Sequence, residues 1–265
     1  MGQHTGIEWT DATWNPATGC TKVSAGCDNC YAYALAHKRL ASTYLRQLPV
    51  ISTPENDADP FAVRTWPERL KEPARWKEPR TVFVNSMSDL FHVDLPDEFV
   101  RRVFQVMLDV DHHVYQVLTK RPARALRFFN LNQDLFPAGE IPPHIWMGTS
   151  VENQDVAYRV DHIRQVPAAT RFLSCEPLLG PLALDLDGIH WVIVGGESGN
   201  GYRKMEAEWA TDIRDQCRDS RVAFFFKQWG GRTPKAGGRV LENQEYNGYP
   251  EMTEATKDQR LSLAL

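Results

Sequence analysis

Short apolar, β-rich runs alternate along the chain with longer stretches of helical period, and nearly every apolar run stops at a polar cluster. The runs at 10–16, 81–85, 113–118, 144–149, 170–174, 190–194 and 222–226 are predicted strands. Their interiors are near-continuous apolar sequence rather than alternating, as in a parallel sheet covered on both faces. The clearest helix follows Pro96, where Val100, Val103, Phe104, Met107 and Leu108 fall at i, i+3, i+4, i+7 and i+8. A first helix over 31–45 carries Ala32, Leu35, Ala36 and Leu40 in partial helical period. Strand–helix alternation of this kind predicts an α/β fold, either a barrel or a doubly wound sheet. Seven strands in series favour a TIM-like (β/α) barrel, complete or nearly so, as one domain over 1–265. The segment 47–80 reads as an irregular, proline- and charge-rich insertion after the first helix, and 231–265 as a C-terminal extension. The crossover 177–189 is too short for much helix.

In parallel α/β sheets the site lies at the carboxyl ends of the strands. The strand ends here carry Asn85, Ser88 and Asp89; Lys120 and Arg121; Ser150 and Glu152; Cys175 and Glu176; Gly195, Gly196, Glu197 and Ser198; Lys227 and Gln228. Loops are polar in general, but reactive side chains placed directly after strand after strand mark this rim as the candidate site.

Composition narrows the class without naming a reaction. A charged fraction of 24%, a hydrophobic fraction of 42% and a net charge of -4 are ordinary for a globular chain. They give no global attraction to nucleic acid or membrane. No apolar run approaches the ~20 residues of a membrane helix, and no secretory leader pattern opens the sequence. The 5 cysteines are odd in number and clustered, unlike a secreted disulfide framework, so a cytoplasmic setting is expected.

Three of those cysteines, Cys20, Cys27 and Cys30, stand at C-x6-C-x2-C spacing just after the first predicted strand. The Cys-x2-Cys pair lets one turn present two thiolates to one metal centre, and Cys20 closes a loop over it. Three thiolates suit an iron–sulfur cluster with one open iron, since an electron-transfer [4Fe–4S] cluster takes four. With His37 added, the same residues read as a structural Cys3His zinc site. Spacing alone does not separate the two; the rim location favours the cluster.

The run Asn15-Pro16-Ala17-Thr18-Gly19-Cys20, continuing to Cys27, Cys30, Tyr31 and Ala32, resembles the cluster loop of radical S-adenosylmethionine (SAM) enzymes, distantly spore photoproduct lyase. Nearly the whole chain resembles a phage-associated family of radical-SAM-like proteins. It departs from the common C-x3-C-x2-C loop in its first gap, and Asn29 replaces the usual aromatic residue. The resemblance implies a partial or full barrel, a [4Fe–4S] cluster on Cys20, Cys27 and Cys30, and SAM as cofactor. It implies an enzyme that cleaves SAM reductively to start radical chemistry, with an electron donor such as flavodoxin or ferredoxin and a nucleic acid or nucleotide as first-guess substrate. In place, Gly195, Gly196 and Glu197 resemble the segment that contacts adenine, though a tight strand-end turn explains the glycines equally. Ser150 and Glu152 match the residues that hold ribose or methionine, though an N-cap with a first-turn acid explains them equally. From their strand-end positions Asn85, Ser88 and Lys120 join the expected cofactor-binding set; Lys120 and Arg121 could take a carboxylate or phosphate, although strand-end Lys-Arg is often only solvated surface. Cys175, beside Glu176, is a candidate hydrogen-atom donor, although a small buried residue is the commoner use of such a cysteine. Cys217 is expected in the core.

The insertion supports a different reading. Between Arg64 and Arg80 it holds 6 basic residues, 3 acids and the tryptophans Trp66 and Trp76. Interleaved bases and aromatics can track and stack a nucleic-acid strand. More often such a stretch is a solvated helix whose tryptophans dock onto the domain. A non-catalytic, zinc-stapled binding protein acting through 47–80 is the alternative to the enzyme, and an iron–sulfur barrel that binds SAM without turnover is a third reading.

Overall fold

The computed structural model describes residues 5–136 and 138–251. Seven parallel strands form one sheet in sequential order: β1 (Ala12–Trp14), β2 (Thr81–Val84), β3 (Val114–Thr119), β4 (Ile145–Ser150), β5 (Arg171–Cys175), β6 (Trp191–Gly195) and β7 (Ala223–Gln228). The sheet curls into a half-barrel. β1 and β7 are its two edges and do not pair with each other. Residues 246–248 run back beside β7, with Phe226 N–H donating to Tyr246 O and Gly248 N–H to Phe224 O. That covers an edge that would otherwise invite another strand and leaves the barrel open. Of the expected architectures, the partial barrel is the one found. The end of the 231–265 extension lies outside the described residues.

The first helical stretch runs as α1 (Tyr31–Leu35), a π-helical segment Ala36–Leu40 and α2 (Ala41–Tyr44); a short α3 (Pro54–Ala58) follows. The larger helices are α4 (Asp97–Asp109), α5 (Pro122–Leu131), α6 (Arg159–Arg164) and α7 (Ala207–Asp219). The α4 stripe buries Val100, Val103, Phe104 and Met107 as its period requires, with Leu108 half-buried. The crossover 177–189 contains no helix. Among the described residues no helix is long and apolar enough to cross a membrane.

Parity along the strands sorts side chains between two cores. Val82, Val84, Val117, Met147, Leu173, Val192, Val194 and Phe226 join the core under the helices. Phe83, Trp146, Phe172, Trp191, Ile193 and Phe225, with Trp9, fill the concave face. Toward the carboxyl ends that concave face turns polar.

The 47–80 insertion is built into the domain. Arg64–Thr65 pairs antiparallel with Ala17–Thr18, directly before the cysteine loop. Trp66 and Trp76 are buried, and the Trp66 indole donates to Thr18 Oγ1 at 2.8 Å. Arg69 lies over the Trp66 ring at 4.0 Å. Arg64 is fully buried and donates to the carbonyls of Gln47, Asp59, Ala62 and Asn56. Docking against the domain, not stacking of an outside strand, is what these tryptophans do here.

Candidate functional site

The cysteine loop leaves β1 and crosses the carboxyl ends of the sheet, fastened there by side chains from several strand ends. Arg121, after β3, donates to Cys20 Sγ at 3.5 Å and to Thr21 O at 3.0 Å. Ser24 donates to Glu152 Oε1 at 2.8 Å. Asn29 donates to Glu197 Oε2 at 2.9 Å and to Gly201 O at 3.0 Å. Arg203, held by Glu197, donates to Ala25 O at 2.9 Å. Beyond Cys30, the Tyr31 hydroxyl donates to Ser86 O. His92 secures Thr21 from beneath, its Nε2 standing 2.8 Å from Thr21 Oγ1. His92 Nδ1 accepts from Asp94 N–H, so Nε2 carries the proton. Burial, then the nearby Arg121, pushes the His92 pKa down to about 4 and keeps the ring neutral at pH 7.

Glu152 is the centre of this clamp. Its carboxylate is buried, paired with Lys120 on one oxygen and with Arg159 NH1 at 2.9 Å on the other. Burial alone would raise its pKa, but Lys120 and Arg159 outweigh it and the net shift is downward. Gly26 rests directly on this carboxylate: a Cβ there would lie 2.4 Å from Oε1. Glu152 is thus a strut for the cysteine loop. The neighbouring pair, Glu176 Oε1 and Lys227 Nζ at 3.0 Å, is more open, with side chains 14% and 20% exposed. Gly195 keeps that pair in place, since a Cβ would meet Glu176 Oε1 at 2.4 Å.

The other expected site residues fall as follows. Ser150 is buried on the concave face. Asn85 is buried with φ +62 and accepts from Ala17 N–H, while its own Nδ2 has no partner among the described residues. Ser88 pairs through its backbone with Gly19, and its Oγ also lacks a partner among the described residues. Gly196 approaches the Trp229 carbonyl, so its missing Cβ serves a turn between strand ends. Glu197 is committed to Asn29 and Arg203, whose hydrogen bonds overcome the effect of burial and lower its pKa.

Cys175 lies where the commoner reading of such a cysteine puts it, as a small buried residue. It sits at odd parity to Ser174 and Glu176, fully buried in the core under the helices beside Cys217, which is buried too. Burial lifts its thiol pKa well above normal. It packs; only Glu176 of that pair reaches the concave rim.

Cys20, Cys27 and Cys30 are free thiols, each partly exposed. Burial, with Asp89 beside it, pushes the Cys20 thiol up to about 11, and the influence of Cys27 reaches it. Among the described residues no three His, Cys, Asp or Glu side chains are gathered into a metal-holding group. The backbone that carries the thiols is fastened, while the thiols stand apart. Three soft sulfurs, one short of a full cluster complement, are the donor chemistry an iron–sulfur centre takes, but the described structure does not gather them to hold one. His37 is turned elsewhere, with Nε2 3.3 Å from Asp59 Oδ1 and Nδ1 3.0 Å from Tyr33 O.

Fold and site together define an open α/β half-barrel whose strand-end rim is roofed by a three-cysteine loop. The chain belongs to the family described as "Protein of unknown function (DUF5131)", which matches residues 4–250. No curated protein and no solved structure matches it.

Proposed function

We propose that this protein is a radical SAM enzyme that holds a [4Fe–4S] cluster on Cys20, Cys27 and Cys30. The observation that carries the reading is the loop's placement: a backbone that carries three free thiols is fastened over the carboxyl ends of a parallel half-barrel. A zinc staple needs no such address, whereas a reactive centre does. Bound there, the cluster would supply the electron that cleaves SAM to methionine and a 5′-deoxyadenosyl radical.

The chain's own work is binding, orientation and exclusion of water. Glu152 holds the loop and is saturated by Ser24, Lys120 and Arg159, so the ligand-facing charges are Glu176 and Lys227. That pair offers an anion and a cation to a zwitterionic amino-acid group, with Ser174 3.4 Å from Glu176 Oε2 as a further polar contact. The apolar layer of Phe172, Trp191 and Ile193 below it closes the floor against water. A nucleotide or nucleic acid is the proposed substrate class, and an electron-transfer protein the proposed partner; both rest on the family resemblance.

The test is iron, acid-labile sulfide and zinc per chain on protein purified without air, followed by assay for 5′-deoxyadenosine with SAM and dithionite. About four irons and four sulfides, lost on replacing any of the three cysteines, is the expected result. One zinc and no sulfide would overturn the reading.

A further inference from the structure

We propose that the foot of the half-barrel is a binding site for a small organic ammonium ion, separate from the cysteine rim and independent of any centre held there. At the amino ends of the strands a cavity of about 330 Å³ opens to the surface. Small-molecule sites run from about 300 to 1,000 Å³. Its lip carries Glu8 and Asp11, from the turn that leads into β1, and Trp9, Trp146 and Tyr249 stand in its wall. Trp146 is the second residue of β4. Tyr249 arrives on the segment that runs back beside β7, laid on Trp191 with ring centroids 5.1 Å apart and planes at 28°. Its hydroxyl donates to Glu8 O at 3.4 Å and closes one side.

The hydrogen bonding of this cavity is one-sided. Thr10 Oγ1 donates to Thr81 O at 3.0 Å, the Trp146 indole to Pro143 O at 3.1 Å and the Trp191 indole to Gly248 O at 2.8 Å, so these donors are used. Asp11 Oδ2 accepts from Thr81 N–H at 2.8 Å, and among the described residues neither Asp11 nor Glu8 is ion-paired. What the lip offers a ligand is carboxylate oxygen. Trp9 is the exception. It is 2% exposed, and its indole N–H has no partner among the described residues. Buried donors are almost always satisfied. An unmatched one in the cavity's wall marks a position that an occupant completes.

Uncompensated carboxylates beside aromatic rings select a positive group on an apolar body. The ammonium donates charge-assisted hydrogen bonds to Asp11 and Glu8, while ring surfaces hold the body and favour its charge. An anion is repelled, and a neutral ligand gains only the apolar contact. Phe83, Phe172, Trp191, Ile193 and Phe225 fill the concave face between foot and rim. Reactions on parallel sheets take place at the carboxyl ends, so the foot binds and does not react.

The experiment is a titration of benzylamine into the nitrogen-15-labelled full chain, followed by its indole N–H resonances. The Trp9 resonance is identified as the one lost in Trp9→Phe, and it is expected to move saturably with benzylamine. Benzyl alcohol, similar in shape without the charge, is expected to bind about tenfold more weakly, and Asp11→Asn and Glu8→Gln to weaken benzylamine by severalfold to tenfold each. Glu208→Gln removes the same charge from exposed α7 and is expected to leave the affinity at wild type. No saturable movement at Trp9, equal affinity for benzyl alcohol, or equal weakening by Glu208→Gln overturns the proposal. So does wild-type affinity in both lip variants. If Asp11→Asn does not fold, Glu8→Gln decides, and wild-type affinity there overturns it.

Discussion

Gly26 of the cysteine loop lies flat against the Glu152 carboxylate, with room for a hydrogen and no room for a methyl group. A flexible glutamate would swing away from an added Cβ, but this one is held by Ser24, Lys120 and Arg159 at once. Gly26→Ala is expected to lift the loop off the rim while the rest of the fold persists. Iron retention after reconstitution should fall severalfold, with a melting temperature within a few degrees of wild type. Full iron content in Gly26→Ala would show that the loop is not seated by this contact.

Glu152→Gln keeps the shape and removes the charge that Lys120 and Arg159 require. Removing one partner of a buried pair leaves an uncompensated charge, and about 3–5 kcal/mol of stability is expected to go with it. The sign of the pH dependence follows from the lowered Glu152 pKa. A carboxylate depressed in the folded state stabilises in full above its unfolded value and loses that stability as pH falls through the folded one. The gap between wild type and Glu152→Gln in urea denaturation should be widest near pH 7 and close below about pH 4.3.

His113 gives a second pH dependence, of different origin. It stands at the foot of β3, where Nδ1 accepts from Arg80 N–H at 3.2 Å and Nε2 donates to Pro73 O at 3.1 Å. Burial first, with His112 and Arg80 nearby, pushes its pKa from 6.5 down to about 4. Between those values the unfolded chain binds a proton that the folded chain refuses, so stability falls as pH falls. Each unit of the shift is worth about 1.4 kcal/mol. His113→Gln should therefore show a shallower loss of stability between pH 6.5 and 4, measured by chemical denaturation. An unchanged slope would place the titrating group elsewhere.

His113 also shows where reading the sequence stopped. The strands were predicted to within a few residues, because β-branched and aromatic runs closed by polar clusters mark a covered parallel sheet. Several starts came early by one residue, at His113, His144, Thr170 and His190. The three histidines bond to neighbouring backbone at the base of the sheet, a use that composition does not distinguish from strand. The rim was readable for the same reason the strands were: each ends in its own polar cluster. What was not readable is partner choice. Arg159, at the start of α6, and Arg203, in the loop after β6, reach back to Glu152 and Glu197 across connections that carry no period. Cys175 shows the cost of parity, since one residue along a strand exchanges the concave face for the helix side. Arg64 begins a stretch that reads as a solvated helix with docked tryptophans, and only the backbone winding around it supplies its four carbonyls.

Trp66→Ala tests the insertion as structure. The indole is buried, bonded to Thr18 and covered by Arg69, next to the strand pair that leads into the cysteine loop. Truncation is expected to cost about 3–5 kcal/mol. Trp66→Phe should cost less, about 1 kcal/mol, chiefly from the lost hydrogen bond. Both are read by urea denaturation. A chain whose stability is indifferent to Trp66→Ala would return the insertion to the role of an exposed binding surface.

His37→Ala separates the two metals that cysteine spacing allows. A Cys3His zinc site requires the imidazole as its fourth ligand, and its loss should empty the site. In the structure the His37 ring is drawn to Asp59 on one nitrogen and to the Tyr33 carbonyl on the other. Both contacts would have to break before it could serve a metal at Cys20, Cys27 and Cys30. Iron and sulfide per chain in His37→Ala are therefore expected to equal those of wild type, while Cys30→Ala loses them. Zinc in the wild type that disappears with His37 would mean the loop is a staple, and the rim charges beneath it would need another explanation.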